Sequence, residues 1–188
     1  MSKKGKIIAV SSPSGGGKTT IVKKILHQFP ELVFSVSATT RPKRKNEAHG
    51  VEYFFITENE FKKHIENDDF VEWERFYDYY YGTFKSFIAE NINDGKSVVL
   101  EVDVKGALSL KKIYPESFLI FIDPPSFDEL VKRLKNRNTE NLEDFQKRID
   151  RAKMELELKE RFDFIVENKV LEKATKEAIS LINKIIKE

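Results

Sequence analysis

The stretch SSPSGGGKTT, residues 11–20, carries the strongest structural signal in this chain of 188 residues. Residues 12–19 match the phosphate-binding pattern G-x-x-x-x-G-K-[ST] at every fixed position except the first, which is Ser12. This pattern is informative only between a strand and a helix. Residues 6–11 form a short apolar, β-branched run, and apolar residues recur at steps of three and four along residues 18–29. The stretch therefore predicts a strand, a phosphate-binding loop and a helix.

The residue types in this loop suit phosphate chemistry. Glycines at 15–17 allow successive backbone N–H groups to point inward at phosphate oxygens. Lys18 brings a positive charge to the β- and γ-phosphates, and Thr19 offers a hydroxyl to Mg²⁺. The first glycine of the pattern mainly eases the turn that leaves the strand, so a small residue such as Ser12 can replace it. A flexible glycine turn is the alternative, which the flanking strand and helix disfavour.

Composition limits the class of protein. The 33 basic and 31 acidic residues nearly cancel, so the net charge of +2 gives no reason to expect a nucleic acid partner. The chain has no cysteine, which excludes disulfides and thiolate chemistry and suits a reducing compartment. No run approaches the roughly 20 apolar residues of a membrane span. We expect one compact, soluble, cytoplasmic unit without a membrane partner.

Further apolar runs alternate with helical patterns, which favours a parallel sheet covered by helices on both faces. The expected strands after the first are residues 33–37, 53–56, 70–76, 97–103, 117–122 and 164–166. Residues 34–83 break the alternation, because their strands are aromatic and closely spaced. We interpret this segment as an inserted lobe with a small sheet of its own.

Helix signals are clear at three places. Thr57 with Glu60, and Ser126 with Glu129, have the spacing of capping boxes and predict two helix starts. A longer helical pattern covers about residues 142–162, where Glu155/Lys159 and Glu157/Arg161 are spaced for exposed i,i+4 ion pairs. Arg151 on this helix is expected at the surface, and a role beside the neighbouring arginines of the same region is the alternative.

The phosphate loop alone fits a GTPase, an ATPase, a kinase or a transport motor. A GTPase would be expected to carry a base-reading N-K-x-D segment, and NKVL at residues 168–171 has leucine in place of the carboxylate. In the inserted lobe, Arg41 and Arg44 lie three residues apart and Tyr53 follows. Guanidinium groups bind phosphate bidentately, and a tyrosine hydroxyl adds a neutral donor. A solvated basic loop is the alternative for residues 41–45.

The run FVEWERF, residues 70–76, places Glu72 on the opposite face of a strand from Val71 and Trp73. A carboxylate facing a pocket accepts hydrogen bonds from the N1–H and 2-amino groups of guanine. Adenine has an acceptor at N1, and such a site rejects it by up to ~10⁴-fold. Trp73 is expected in the core.

Together these segments resemble the guanylate kinase family along essentially the full chain. The matching runs, in the family's order and spacing, are SPSGGGKTT, FSVSATTRPKR, GVEYFF, FVEW, YYYGT, LEVDVKGA, FIDPPS and RLKNRNTE. The resemblance implies an α/β fold: a P-loop NTPase-type parallel sheet core flanked by helices, an inserted small mixed α/β lobe that binds the monophosphate, and a helical lid. It divides the single domain into a core (1–33, 84–125 and 156–188), the inserted lobe (34–83) and the lid (126–155).

The resemblance also implies the reaction, transfer of the γ-phosphoryl group of MgATP to GMP, and to dGMP, within purine metabolism and GMP recycling. The implied ATP-binding residues are Ser14, Gly15, Gly16, Gly17, Lys18, Thr19, Thr20, Arg133, Arg137 and Asn168. The implied GMP-binding residues are Arg41, Arg44, Tyr53 and Tyr81 for the phosphate, Ser37, Glu72 and Thr83 for guanine, and nearby Glu101 and Asp103. The implied catalytic residues are Lys18, Arg41, Asp103, Arg137 and Arg148. Thr19, and Asp103 through water, would hold Mg²⁺.

Departures and alternatives remain at this stage. Ser12, Lys105 and Asn138 differ from the family pattern. A different P-loop phosphotransferase, such as a ribose-bisphosphate kinase, is disfavoured because Ser37, Glu72 and Thr83 together suit a purine. A non-catalytic scaffold module is disfavoured because the phosphate loop is intact. The sequence leaves open whether the protein is a monomer or a homodimer.

Overall fold

The computed structural model describes residues 4–76, 78–135 and 142–187. Its strands, in chain order, are β1 Ile7–Ser11, β2 Val33–Phe34, β3 Ala38–Thr39, β4 Phe54–Phe55, β5 Phe70–Phe76, β6 Tyr79–Phe84, β7 Val98–Glu101, β8 Phe118–Asp123 and β9 Phe164–Glu167. Its α-helices are α1 Lys18–Gln28, α2 Glu58–Glu66, α3 Lys85–Asn93, α4 Val104–Ile113, α5 Phe127–Lys135, α6 Leu142–Glu157 and α7 Leu171–Lys187, and a 3₁₀ turn covers Lys159–Arg161.

A five-stranded sheet in the order β2-β7-β1-β8-β9 forms the core, and every neighbouring pair is parallel. This confirms the predicted α/β class. Val10 of β1 pairs with Glu101 of β7, so the two strands end side by side. Because parallel strands share a carboxyl edge, the segments that follow β1 and β7 meet there, where ligands bind in open α/β sheets.

The core sheet buries a layer of side chains on each face. On central strand β1, Ile7 and Ala9 belong to one apolar cluster, whereas Ile8 and Val10 belong to the other. The first cluster includes residues of α3 and α4, and the second includes residues of α1 and α7. Both faces of β1 are therefore covered by helices, as expected for a fully buried parallel strand.

The inserted lobe has a second sheet in the order β4-β3-β6-β5, with β3 parallel to β4 and the other pairs antiparallel. Phe61, from α2, and Phe70 stack with ring centroids 4.5 Å apart in its small core. A Cβ on Gly82 would lie 3.0 Å from atoms of both rings, so any larger residue at this position of β6 would require the two rings to shift. The Thr57/Glu60 capping box is confirmed at the start of α2.

Several sequence-based expectations were wrong in detail. The run at 33–37 does not form one continuous strand, since only Val33–Phe34 pair in the core sheet, and the next strand, β3, begins at Ala38 in the sheet of the inserted lobe. Strand β6 was not predicted. Trp73, expected in the core, is 46% exposed.

The long helix also ends earlier than predicted, at Glu157. The expected pair between Glu155 and Lys159 does not form. Glu155 instead accepts from Arg151 at 2.8 Å, and Lys159 donates to Asp123 at 2.8 Å. No helix among the described residues is both long and apolar enough to cross a bilayer.

Candidate active site

The phosphate loop joins β1 to α1 and depends on backbone conformations that favour glycine. Gly15 has a φ of 87° and Gly17 a φ of 92°. Gly16 N donates to the carbonyl of Pro13 at 2.9 Å, which closes the turn. Gly17 is the N-cap of α1 and provides no side-chain cap, so the first N–H groups of the helix can receive an anion.

Ser12 fits the start of this loop without strain. Among the described non-glycine residues only Asp68 has a positive φ, so the backbone of Ser12 is in an ordinary region. Its hydroxyl donates to the Pro13 carbonyl at 3.0 Å. A Cβ on Gly16 would lie 2.8 Å from the Cβ of Ser12. The close approach of these two segments therefore restricts the residue at position 16, whereas position 12 accommodates the serine side chain.

The two side chains at the start of α1 that are predicted to act on phosphate and Mg²⁺ both reach the end of β7. Lys18 Nζ donates to the Val102 carbonyl at 2.8 Å. Thr19 Oγ1 donates to Glu101 Oε1. The loop cation and its neighbouring hydroxyl thus lie beside the acidic segment at residues 101–103, while Thr20 is exposed on α1.

Asn168 lies behind the loop rather than at its mouth. Its side chain is buried, and Nδ2 donates to the Gly16 carbonyl at 2.8 Å. A Cβ on Gly17 would lie 2.4 Å from the same amide nitrogen. The resemblance implied that Asn168 binds ATP, and its described contacts brace the phosphate loop.

Of the predicted lid arginines, Arg133 lies on α5 and donates to Glu129 Oε1 at 3.1 Å, with Nη2 3.5 Å from the Asn168 carbonyl oxygen. Arg148 lies on α6 and lines the cavity described below. Arg137 and Asn138 lie outside the described residues.

Three residues predicted to contact guanine lie together in the inserted lobe. Glu72 of β5 is directly opposite Thr83 of β6, and Thr83 Oγ1 donates to Glu72 Oε1 at 2.7 Å. The hydroxyls of Ser37 and Thr83 are 3.3 Å apart. The pKa of Glu72 is raised to about 7, chiefly by burial. The hydrogen bond from Thr83 lowers this pKa in part, and the negative charge of Asp103 contributes to raising it.

The N-terminus of α4 packs closely against these carboxylates. Asp103 is the N-cap of α4, and its Oδ1 accepts from Gly106 N at 2.6 Å. A Cβ on Gly106 would lie 2.8 Å from Glu72 Oε2 and 2.9 Å from Asp103 Oδ1. The absence of a side chain at 106 therefore lets the two carboxylates approach the helix.

The residues predicted to bind the acceptor phosphate are only partly assembled. Arg41 Nη2 donates to Glu47 Oε1 at 2.8 Å, and the Arg41 guanidinium lies 5.5 Å from the Tyr53 ring centroid. Tyr53 and Tyr81 meet edge to face, with centroids 6.0 Å apart. Arg44 is exposed, and its backbone N donates to Glu47 Oε2 at 2.8 Å.

Sequence reasoning missed the role of Arg151. This residue was expected at the helix surface, but its side chain is only 22% exposed and forms ion pairs with Glu74, Asp103 and Glu155. Two features of the sequence indicated that Arg151 and Glu74 could face the site. Glu74 is two positions from Glu72 and so shares its face of β5, and residues 148, 151 and 155 share one face of a helix.

A single cavity of about 630 Å³ joins both predicted sites. Its lining includes the predicted residues Ser14, Lys18, Thr19, Ser37, Tyr53, Glu72, Tyr81, Glu101, Asp103 and Arg148. Ser12, Glu74, Arg151 and Glu155 line it as well. Residues predicted to contact a nucleotide's phosphates and residues predicted to contact a purine base thus line the same open cavity.

The residues at the end of β7 fit an Mg²⁺ ion held mainly by nucleotide phosphates. Among the described residues, no group of three His, Cys, Asp or Glu side chains could hold a metal by itself. Mg²⁺ in such sites usually needs only one or two protein oxygens, since substrate phosphates and waters complete its octahedron. Thr19, Glu101 and Asp103 provide hydroxyl and carboxylate oxygens in one cavity.

Comparison with known proteins finds relatives along nearly the whole chain. The family model described as Guanylate kinase matches residues 4–185. Guanylate kinase of Thermotoga maritima is 46% identical over 179 residues, which are 95% of this chain and 86% of the relative. That of Caldanaerobacter subterraneus subsp. tengcongensis is 44% identical over 180 residues, 96% of this chain and 87% of the relative. The crystal structure of guanylate kinase from Anaplasma phagocytophilum matches with a TM-score of 0.76 at 30% identity and covers 100% of this chain and 87% of that one.

Proposed function

The chain belongs to the guanylate kinase family, and from this premise we propose that the shared cavity holds ATP at the phosphate loop and GMP in the inserted lobe. As a member of this family, the protein is an ATP:GMP phosphotransferase that produces ADP and GDP. The observation that carries our assignment of residues is the shared cavity, which Lys18 and Glu72 both line.

On the donor side, the N–H groups of residues 15–17 and the start of α1 cradle the ATP phosphates. Lys18 exchanges the Val102 carbonyl for phosphate oxygens. Both are acceptors, so the ammonium group moves between partners without losing a hydrogen bond. Thr20, Arg133 and Asn168 complete the ATP site as the family resemblance implies, with Asn168 acting through the Gly16 carbonyl.

On the acceptor side, Glu72 accepts from the guanine N1–H and 2-amino groups, while Ser37 and Thr83 hold Glu72 in place or contact the base themselves. Arg41, Arg44, Tyr53 and Tyr81 bind the GMP phosphate. To bind the GMP phosphate, Arg41 must release the Glu47 carboxylate or bind both groups, because Nη2 of Arg41 pairs with Glu47 in the free protein. We include dGMP as an acceptor, since no residue of this proposal requires the 2′-hydroxyl.

The chemistry requires positioning and charge neutralisation rather than a general base, because the attacking phosphate oxygen of GMP is already anionic. Arg148 and Arg137, from the lid, and Lys18, from the loop, supply cations around the transferred group. Mg²⁺, when bound, would neutralise negative charge on the nucleotide phosphates. Thr19 and Asp103 would hold it, with Asp103 acting through water. We place the activity in the cytoplasm, where ATP and GMP are available and where a chain without cysteine is suited to reducing conditions.

The acceptor range tests the assignment. We expect ADP production with GMP and dGMP, and rates at least roughly 10³-fold lower in kcat/KM with AMP, because adenine presents an acceptor to Glu72. UMP and ribose bisphosphate should give background rates in the same coupled assay. Preference for ribose bisphosphate would instead favour the other P-loop phosphotransferase, and a shift in melting temperature with GMP but no turnover would favour the binding module.

The pKa of Glu72 predicts a pH dependence of GMP recognition. Guanine needs the ionised carboxylate, and burial places the pKa of that group at about 7 in the free protein. We expect kcat/KM for GMP to fall about tenfold per pH unit as pH drops below 7. GMP itself loses a phosphate charge near pH 6. In the Glu72→Gln variant, only protonation of the GMP phosphate should change kcat/KM with pH. If the wild type and this variant have the same pH profile between pH 8 and 6.5, Glu72 is not the group that binds guanine.

A further inference from the structure

We propose that Arg151 is a positioning residue for phosphoryl transfer, which couples the lid to the inserted lobe and holds Asp103 in place; this rests on the function proposed above. Its guanidinium contacts carboxylates from three segments. Nη2 donates to both oxygens of Glu74 at 2.9 Å and to Asp103 Oδ2, and Nε donates to Glu155 Oε1 at 2.8 Å. Glu74 belongs to the lobe, Asp103 to the core and Glu155 to the lid, so one side chain joins all three.

These contacts are shielded from water. The exposed fractions of the side chains are 22% for Arg151, 29% for Glu74, 15% for Asp103 and 4% for Glu155. The Arg151 guanidinium also lies 4.7 Å from the ring centroid of Phe76, which borders the same cavity. Exposed ion pairs contribute little, but loss of one partner from a shielded cluster leaves the others with uncompensated charge.

Arg151 fixes the orientation of the Asp103 carboxylate from one side. Asp103 Oδ1 is held by Gly106 N at 2.6 Å, and Oδ2 is held by Arg151. Both oxygens therefore have a defined direction before substrates arrive. Because Asp103 is the residue proposed to act beside Mg²⁺ and GMP, Arg151 affects the reaction through Asp103 and Glu74 without contacting the transferred group.

Arg151 also balances charge where the lobe meets the lid. Glu74 and Asp103 both accept hydrogen bonds from Nη2 of Arg151, so the guanidinium offsets the negative charge of two neighbouring carboxylates. Without the guanidinium, Glu74 on β5 and Asp103 would repel each other, and the lid would lose its ionic contact with β5. The lobe and the lid would then move independently, so substrate capture by one would no longer position the other.

Kinetics of matched variants test the coupling. We expect Arg151→Gln to lower kcat/KM for GMP by roughly 10- to 100-fold, with a smaller change in KM for ATP and partial recovery in Arg151→Lys. Glu74→Gln should also lower kcat/KM, and the double variant should lose less than the product of the two single losses. Lys153→Gln, an equal charge change at an exposed position on the same helix, should match the wild type. Independent losses in the double variant, or no loss in Arg151→Gln, would overturn the proposal.

A distance measurement separates this proposal from the proposed function. The chain has no cysteine, so spin labels can be placed at Lys63→Cys on α2 and Asp150→Cys on α6. Without substrates, we expect a narrow distance distribution that Arg151→Gln broadens and Lys153→Gln does not. An unchanged distribution would refute the coupling. If the wild type fails to phosphorylate GMP, the proposed function fails while this measurement still decides the coupling. Should Arg151→Gln not fold, Arg151→Lys and Glu74→Gln provide the same comparison.

Discussion

Replacing Lys18 with alanine should lower kcat for phosphorylation of GMP by roughly 10³-fold, the scale of losing a preorganised charge at the reacting group. The loop glycines and the start of α1 still cradle the nucleotide, so KM for ATP should change far less than kcat. The distinction follows from where the charge acts. Negative charge shifts toward the leaving β-phosphate in the transition state, and the ammonium group stabilises that state more than the ground state. A coupled assay of ADP production, with the folded state verified by circular dichroism, measures both constants.

Two variants act as controls for this prediction. Lys24→Ala removes the same charge from an exposed position of α1 and should leave kcat unchanged. Ser12→Gly restores the full loop pattern and should alter ATP affinity by no more than a few fold, since the Ser12 backbone is already in an ordinary region. Small and equal effects of Lys18→Ala and Ser12→Gly would mean that the loop is not a phosphate cradle.

The features that the sequence predicted correctly are those with local causes. Strand β5 was predicted at residues 70–76 and is found at Phe70–Phe76. The start of α2 follows from Thr57 and Glu60, which satisfy each other's backbone N–H groups within four residues. The phosphate loop depends likewise on glycine conformations between adjacent elements. Neighbouring residues determine each of these features, so distant contacts were not needed to predict them.

The features that were missed depend on partners far along the chain. Residues 79–84 include three consecutive tyrosines and show no alternation, and they form β6 because β5 and β3 flank them. Arg151 resembles a helix-surface residue until its partners Glu74 and Asp103, 77 and 48 residues away, are placed beside it. The expected Glu155–Lys159 pair fails for the same reason, because Lys159 pairs with Asp123, 36 residues away. Tertiary contacts overrode local spacing in each case.

Replacing Glu72 with glutamine should lower kcat/KM for GMP by roughly 10³- to 10⁴-fold and reduce the preference for GMP over AMP. The two carboxylate oxygens match two guanine donors, whereas the glutamine amide offers one acceptor and turns an N–H₂ group toward the second donor. The same assay, run with both monophosphates, measures the ratio. Glu90→Gln, at an exposed position of α3, is the matched control and should leave both rates unchanged. A GMP preference retained in Glu72→Gln would remove Glu72 from the base site.

The Glu72→Gln substitution should also stabilise the free protein, because the ionised Glu72 carboxylate is poorly solvated in its pocket. Its pKa is raised from 4.5 to about 7 by burial, so ionisation favours the unfolded state increasingly between these two values. The gain in unfolding free energy for Glu72→Gln is therefore near zero below pH 4.5 and reaches roughly 1 to 3 kcal/mol above pH 7. Thermal unfolding at pH 8 should show a melting temperature higher by roughly 2–10 °C. Equal melting temperatures of variant and wild type at pH 8 would show that the carboxylate is well solvated, and its selectivity for guanine would then need another source.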